Sequence, residues 1–245
     1  MDKTNDITWR LENDKISRLL LHYAIPAVIG TMVNALYNID DRIFIGQGVG
    51  ALAISGLTLT FPLMLFMQAF GMLVGIGSAT RISIFLGRKA NDQAENILGN
   101  ALTLTFILNI LILIPCMIFM EELLFLFGGS EQTIPYAADY LYIVIPGNIL
   151  ASLSFSLNAV MRASGYPKKA MFMMKIGAIA NVILDPIFIF GLGMGIRGAA
   201  IATVISMGVS TFFVVGHFFR KDTVIRFSWK CFGLEMATLW SIILI

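Results

Sequence analysis

Charge is the scarce ingredient of this chain. Only 13% of its 245 residues are Asp, Glu, Lys or Arg, about half the share found in soluble domains, where roughly a quarter are charged. That excludes an ordinary solvated domain. The seventeen basic residues are spread over separate polar segments, which excludes a nucleic-acid-binding patch. Cysteine is nearly absent. Cys116 and Cys231 fall in an apolar run and beyond the last polar loop, so they imply neither a metal motif nor a disulfide. The two histidines, His22 and His217, stand near the ends of apolar runs and read as interfacial. No cleavable leader is expected. The first 15 residues mix both signs of charge, and the apolar run after them is too long for a signal core.

What is present is apolar length. Residues of hydrophobic type make up 58% of the chain, and runs near 20 residues recur, enough to cross a hydrocarbon core about 30 Å thick. Six spans are predicted, over 18–46, 52–80, 98–120, 136–161, 169–190 and 198–219. The fold class is therefore an all-α polytopic membrane protein, a six-transmembrane-helix bundle over 17–220. Residues 1–16 form a polar N-terminal segment, with Trp9, Leu11, Ile16 and Leu19 as a short amphipathic lead-in. Fifteen of the seventeen basic residues precede span 1, follow span 6 or lie between spans 2 and 3 or 4 and 5. The opposite side keeps Arg197, with Arg42 near the outer end of span 1, and carries Glu121, Glu122 and Glu131. The positive-inside rule then puts both ends of the chain in the cytoplasm, as an even number of spans requires. Residues 221–245 read as a cytoplasmic linker and the start of a seventh span, because Phe232 to Ile245 is again apolar. The chain is thus expected to be one half of a longer transporter built from two homologous lobes.

Each of spans 1 to 5 carries one proline, at Pro26, Pro62, Pro115, Pro146 and Pro186. Neighbouring groups can satisfy the freed carbonyls in lipid, so these positions read equally as tolerated residues or as bends around a cavity. Gly71 and Gly75 give span 2 a small-xxx-small face for close approach of another helix. Span 3 is otherwise bland and expected to face lipid.

The polar residues inside the spans carry the functional signal. Gly177 to Gly208 contains two apolar runs joined by Gly191-Leu192-Gly193-Met194-Gly195. Asn181 and Asp185 are four residues apart and share a helix face. A hairpin turning at Met194 brings Thr203 to the depth of Asp185. In span 1, Asn34, Tyr37 and Asp41 share a face at spacings of three and four. Asp41 lies about 8 Å below Gly46 and Asp185 about 9 Å below Gly191 at the helical rise, so the two acids have comparable depth and a shared site is plausible. Ionisable groups at such positions are costly and read as functional by default. Two neighbouring carboxylates stay ionised only with a cation, so the site holds a proton or an ion. Oxygen donors from Asp41, Asn181, Asp185 and Thr203 suit Na⁺ or H⁺. Asp40 faces elsewhere and reads as a partner of Arg42. Gln68 and Asn158 read as cavity lining or as helix–helix hydrogen bonds.

These residues resemble a known family. Tyr37-Asn38-Ile39-Asp40-Asp41-Arg42-Ile43-Phe44-Ile45-Gly46, Asn158-Ala159-Val160-Met161-Arg162-Ala163-Ser164-Gly165 and Asn181-Val182-Ile183-Leu184-Asp185-Pro186-Ile187-Phe188-Ile189-Phe190-Gly191, followed by Gly198-Ala199-Ala200-Ile201-Ala202-Thr203, are similar to signatures of the multidrug and toxic compound extrusion (MATE) transporters. The resemblance implies the N-terminal lobe of a twelve-helix antiporter in the cell membrane, with a C-terminal lobe as its partner. Such proteins export organic cations and amphipathic drugs against inward Na⁺ or H⁺, with no cofactor beyond that coupling ion. Carried over by position, the cation site is Asp41, Asn181, Asp185 and Thr203, with Tyr37 as a helper. Asn34, Tyr37, Gln68 and Asn158 are the expected cavity residues. Asp40 departs from the family pattern, which commonly has an apolar residue there. Two other classes compete. A lipid-linked oligosaccharide flippase of the same superfamily needs several Arg and Lys along the spans, which offer Arg42 and Arg81. An intramembrane prenyltransferase needs its acids on the cytoplasmic side, and these lie toward the outside.

Overall fold

The computed structural model describes residues 15–220, 223–227 and 242. The amphipathic lead-in, apart from Ile16 and Leu19, and the run toward a seventh span, apart from Ile242, lie outside the described residues. Helix α1 spans Ile16–Gly48, α2 Ala51–Gly87, α3 Asn91–Ile118 and the short α4 Met120–Leu126. Helix α5 spans Ile134–Ala163, α6 Pro167–Pro186 and α7 Gly195–Phe218, with a π-helical turn, Ile187–Gly191, closing α6. Six of these are long and apolar enough to cross a membrane.

The helices outrun the hydropathic spans. α2 continues to Gly87 rather than ending at 80, and α3 begins at Asn91 rather than 98. Hydropathy marks only the hydrocarbon slab, whereas a helix keeps its backbone bonds satisfied into the headgroup region. Residues 120–126, expected to be the end of span 3 and a loop, form α4 instead. Its Met120 and Leu124, four residues apart, are buried while Glu121 and Glu122 stay exposed, so one face is apolar.

α5 is the central helix, packing on α2, α7 and α3; α6 lies between α7 and α1. α1 leans on α6 and touches α2 little beyond their joint. The two hairpin arms therefore diverge, leaving a cleft between α1 and α2 with α5 behind it. The α2–α5 seam is the small-residue face anticipated in span 2. A Cβ on Gly71 would lie 3.0 Å from the Ser152 Cα, and one on Gly75 would lie 2.9 Å from the Ser156 Cα.

Span 3 is not bland. Asn109 of α3, only 2% exposed, accepts hydrogen bonds from Ser152 Oγ at 2.9 Å and from Asn148 Nδ2 at 3.3 Å. Its own Nδ2 donates to the Thr105 carbonyl at 2.8 Å. Leu111, Ile114 and Ile118 are exposed as expected of a lipid-facing surface, but the other face is tied to α5 by polar bonds in an apolar setting. Asn109 within an apolar run gave no indication of which way it points.

Candidate functional site: a buried carboxylate cluster behind a polar cavity

The reversal between α6 and α7 starts from Pro186. Proline has no N–H to offer the carbonyl one turn back, and the next turn widens to π spacing, with Leu192 N–H donating to the Ile187 carbonyl at 2.9 Å. Gly193 (φ 65°) and Gly195 (φ 56°) adopt left-handed conformations that other L-residues rarely take. The chain turns there, as expected, and α7 returns along α6.

That turn brings the predicted residues of α6 and α7 together. Asn181 Nδ2 donates to Asp185 Oδ1 at 3.1 Å and reaches Thr203 Oγ1 at 3.5 Å. Asp185 is fully buried, and Asn181 and Thr203 are nearly so. From α1, Asp41 is 5% exposed and within electrostatic reach of Asp185, as is Tyr37. Asp41 Oδ1, Asn181 Oδ1 and Asp185 Oδ2 are buried without a hydrogen-bond partner. Buried polar atoms are nearly always paired. The Asn181 and Asp185 oxygens with the Thr203 hydroxyl beside them, and the Asp41 carboxylate within electrostatic reach, are a hard-donor set that fits a small cation or a proton.

Sequence reasoning missed one member of this cluster. Tyr140 of α5 is 2% exposed, with its hydroxyl near Thr203 and within electrostatic reach of Asp41 and Asp185. A tyrosine near a span end usually marks the membrane interface, so nothing in the sequence set it apart. The reading of Asp40 needs correcting. Among the described residues, no ion pair joins Asp40 to Arg42. Arg42 stands over the Phe61 ring, 5.5 Å from its centroid. Asp40 instead borders a small groove of about 200 Å³ between α1 and α6, lined by Val33, Leu36, Tyr37 and Ile179 among others. Consecutive residues on a helix point about 100° apart, so Asp41 can turn inward while Asp40 faces the groove.

The cleft between the arms holds a cavity of about 350 Å³. All four residues expected to line it, Asn34, Tyr37, Gln68 and Asn158, do so. Asn181 and Thr203 also reach its wall, joining cavity and cluster, whereas Asp41 and Asp185 sit behind them. A second residue was missed here. Arg162, expected with the basic loop between spans 4 and 5, lines the cavity and donates from Nη1 to Asn158 Oδ1. Asn158 in turn donates from Nδ2 to the Ala170 carbonyl at 2.9 Å. Arg162 lies in the last turn of α5, where the loop chemistry of its neighbours hid its inward direction.

The MatE family model matches residues 26–187, about two thirds of the chain, from within α1 to the end of α6. The chain belongs to the MatE family. A MepA multidrug export protein of Staphylococcus haemolyticus is 32% identical over 219 residues, covering 89% of this chain and 48% of that protein. Among solved structures, a MATE crystal structure in the bent conformation superposes with a TM-score of 0.89 at 29% identity, covering 96% of this chain and 52% of that one. A MATE structure in the straight conformation gives 0.84 at 29% identity, covering 91% and 50%. The chain thus spans about half the length of these relatives. It is a multi-pass membrane protein of a transporter family rather than an enzyme, so the prenyltransferase reading is set aside.

Proposed function

We propose that this MatE-family lobe belongs to a secondary multidrug exporter that moves organic cations and amphipathic drugs outward in exchange for Na⁺ or H⁺. The observation that carries the reading is the coupling of two features. A cavity of drug-like size ends on Asn181 and Thr203, and behind them lie two buried carboxylates with unpartnered oxygens. In this reading Asp41, Asn181, Asp185 and Thr203 bind the coupling ion, Tyr37 supports them, and Asn34, Gln68 and Asn158 contact the drug. Cation binding neutralises the acids and repacks α1, with Pro26 as the bend, and this weakens the drug site. Such coupling requires the ion to favour one arrangement by real interaction energy. The protein sits in the cell membrane with both ends of this chain cytoplasmic, and a second lobe covers the open cleft between α1 and α2. A lipid-linked oligosaccharide flippase would need several cationic side chains for phosphates. Among the described residues the cavity wall has one, Arg162.

The test uses the full-length transporter that contains this chain, in inverted vesicles, with a fluorescent organic cation as cargo. An imposed Na⁺ or pH gradient should drive transport, and Asp41→Asn should abolish it while insertion stays normal. Transport indifferent to both gradients, or undiminished in Asp41→Asn, would sink the antiporter reading.

A further inference from the structure

The groove between α1 and α6 is separate from the cleft and carries a charge of its own. Leu36, Ile179 and Ile183, which line it, are 59%, 58% and 56% exposed, so it opens on the outer surface of the bundle. The cleft cavity takes Asn34 and Asn38 from another face of α1. Along α1 the groove runs from Val33 to Asp40, roughly 10 Å at the helical rise, and Asp40 stands at its outer end. Asp40 is the one formally charged residue among those lining it. It is partly buried and has no hydrogen bond or ion pair among the described residues, while Arg42 is engaged over the Phe61 ring. Ionisable groups within membrane spans nearly always face the bundle interior or a partner. A carboxylate without either bears a desolvation cost, which a cation from outside the bundle would offset.

Depth and size indicate where that cation comes from. The midpoint of α1, Ile16–Gly48, is Met32, and Asp40 lies about 12 Å outward of it at the helical rise. Half of a hydrocarbon core about 30 Å thick is about 15 Å, so Asp40 sits just under the outer headgroups. The groove holds about 200 Å³, below the roughly 300 Å³ at which pockets for drug-sized molecules begin. We infer that it is a lipid site, occupied by a phospholipid with a primary ammonium headgroup. The ammonium rests on Asp40, and part of one acyl chain lies along Leu36, Ile179, Val182 and Ile183. A primary ammonium brings three N–H donors to a carboxylate that can only accept, giving charge-assisted hydrogen bonds. A choline headgroup offers charge without donors, and a glycerol headgroup offers no cation. The site also borders the cluster. Tyr37 lines both groove and cavity, and Asp40 is within electrostatic reach of Asp185, so a bound ammonium offsets a negative charge that the cluster otherwise feels. The inference goes beyond the exporter reading and does not rest on it.

The test places the full-length transporter in nanodiscs of phosphatidylcholine and phosphatidylglycerol. Each preparation carries a trace of a phospholipid with a photoactivatable diazirine in its acyl chain and an ethanolamine, choline or glycerol headgroup. Cross-linked peptides are then mapped by mass spectrometry. In the wild type, peptides containing Leu36 and Ile179 should be labelled about fivefold more by the ethanolamine lipid than by the glycerol lipid, the scale of a partly exposed charge pair. The choline lipid should fall between them. Peptides containing Leu111 and Ile114, exposed on α3, should show no preference. In Asp40→Asn the preference in the groove should fall to about one, and Asp40→Glu should retain it. Equal labelling of the groove by all three lipids in the wild type identifies ordinary surrounding lipid and overturns the proposal. So does an absence of label in the groove, or a preference that survives in Asp40→Asn. The headgroups are first compared on the unmutated protein, so a misfolded variant cannot shelter the idea. No gradient or drug enters the measurement, so its outcome is independent of whether the exporter reading holds.

Discussion

At the scale of single residues, this lobe turns on groups that are expensive to bury. Asp185 is wholly enclosed with one oxygen on Asn181 and the other unpartnered. Replacing it by Asn removes the charge while keeping the shape, so Asp185→Asn should reduce gradient-driven efflux to background with near-normal insertion and detergent stability. Efflux assays on membranes with matched protein levels check this. Tyr140 offers a finer probe. Tyr140→Phe deletes only the hydroxyl that faces Thr203, so the cluster stays packed but Thr203 is held less firmly. The loss of one such bond is worth about 0.5–1.5 kcal/mol. The apparent affinity for the coupling ion should therefore weaken several-fold while maximal efflux changes less, as a titration of the driving ion would show.

At the scale of elements, α5 is the spine, and two kinds of contact hold its neighbours. Small residues let α2 approach it, and polar bonds tie α3 to it. Gly75→Ala forces a Cβ against the Ser156 backbone, which cannot move without shifting a helix, so a loss of about 1–3 kcal/mol is expected from overpacking. Gly30→Ala makes an instructive contrast. The added Cβ would meet the Met174 sulfur at 2.9 Å, but that side chain is flexible and can swing aside. Thermal unfolding in detergent should show a clear drop for the first and little change for the second. Asn109→Leu removes the acceptor shared by Asn148 and Ser152. Those two retain their own contact at 3.4 Å, so the cost should stay near 0.5–2 kcal/mol, the range of interhelical hydrogen bonds in membranes. A larger loss would mean that α3 is held mainly through Asn109.

For the molecule as a whole, the arms α1–α6 and α2–α5 diverge, and their open cleft shows many apolar side chains. Phe61 and Leu65, which line its cavity, are both about half exposed, which suits lipid or a second lobe and not water. Orientation is testable separately from transport. With Cys116 and Cys231 replaced, Ser130→Cys should react with a membrane-impermeant maleimide on intact cells, and Lys168→Cys only after permeabilisation. The reverse pattern would invert the proposed topology and place the carboxylate cluster nearer the cytoplasm.

The sequence by itself determined the class, the number of spans and the pairing of Asn181, Asp185 and Thr203, because those follow from short-range rules. Apolar run length sets whether a helix can cross a membrane. A four-residue spacing sets a shared face. A glycine-rich turn sets the hairpin that returns Thr203 to Asp185. Tertiary structure alone decided the rest. Asn109, Tyr140 and Arg162 each sit in a stretch whose local pattern is uninformative, and whether such a side chain turns inward depends on which helix packs on which face. The divergence of α1 from α2 is equally non-local. It arises because α2 finds its close contact on α5 while α1 finds its own on α6, and that choice creates the cavity in which Arg162 and the carboxylate cluster face opposite ends.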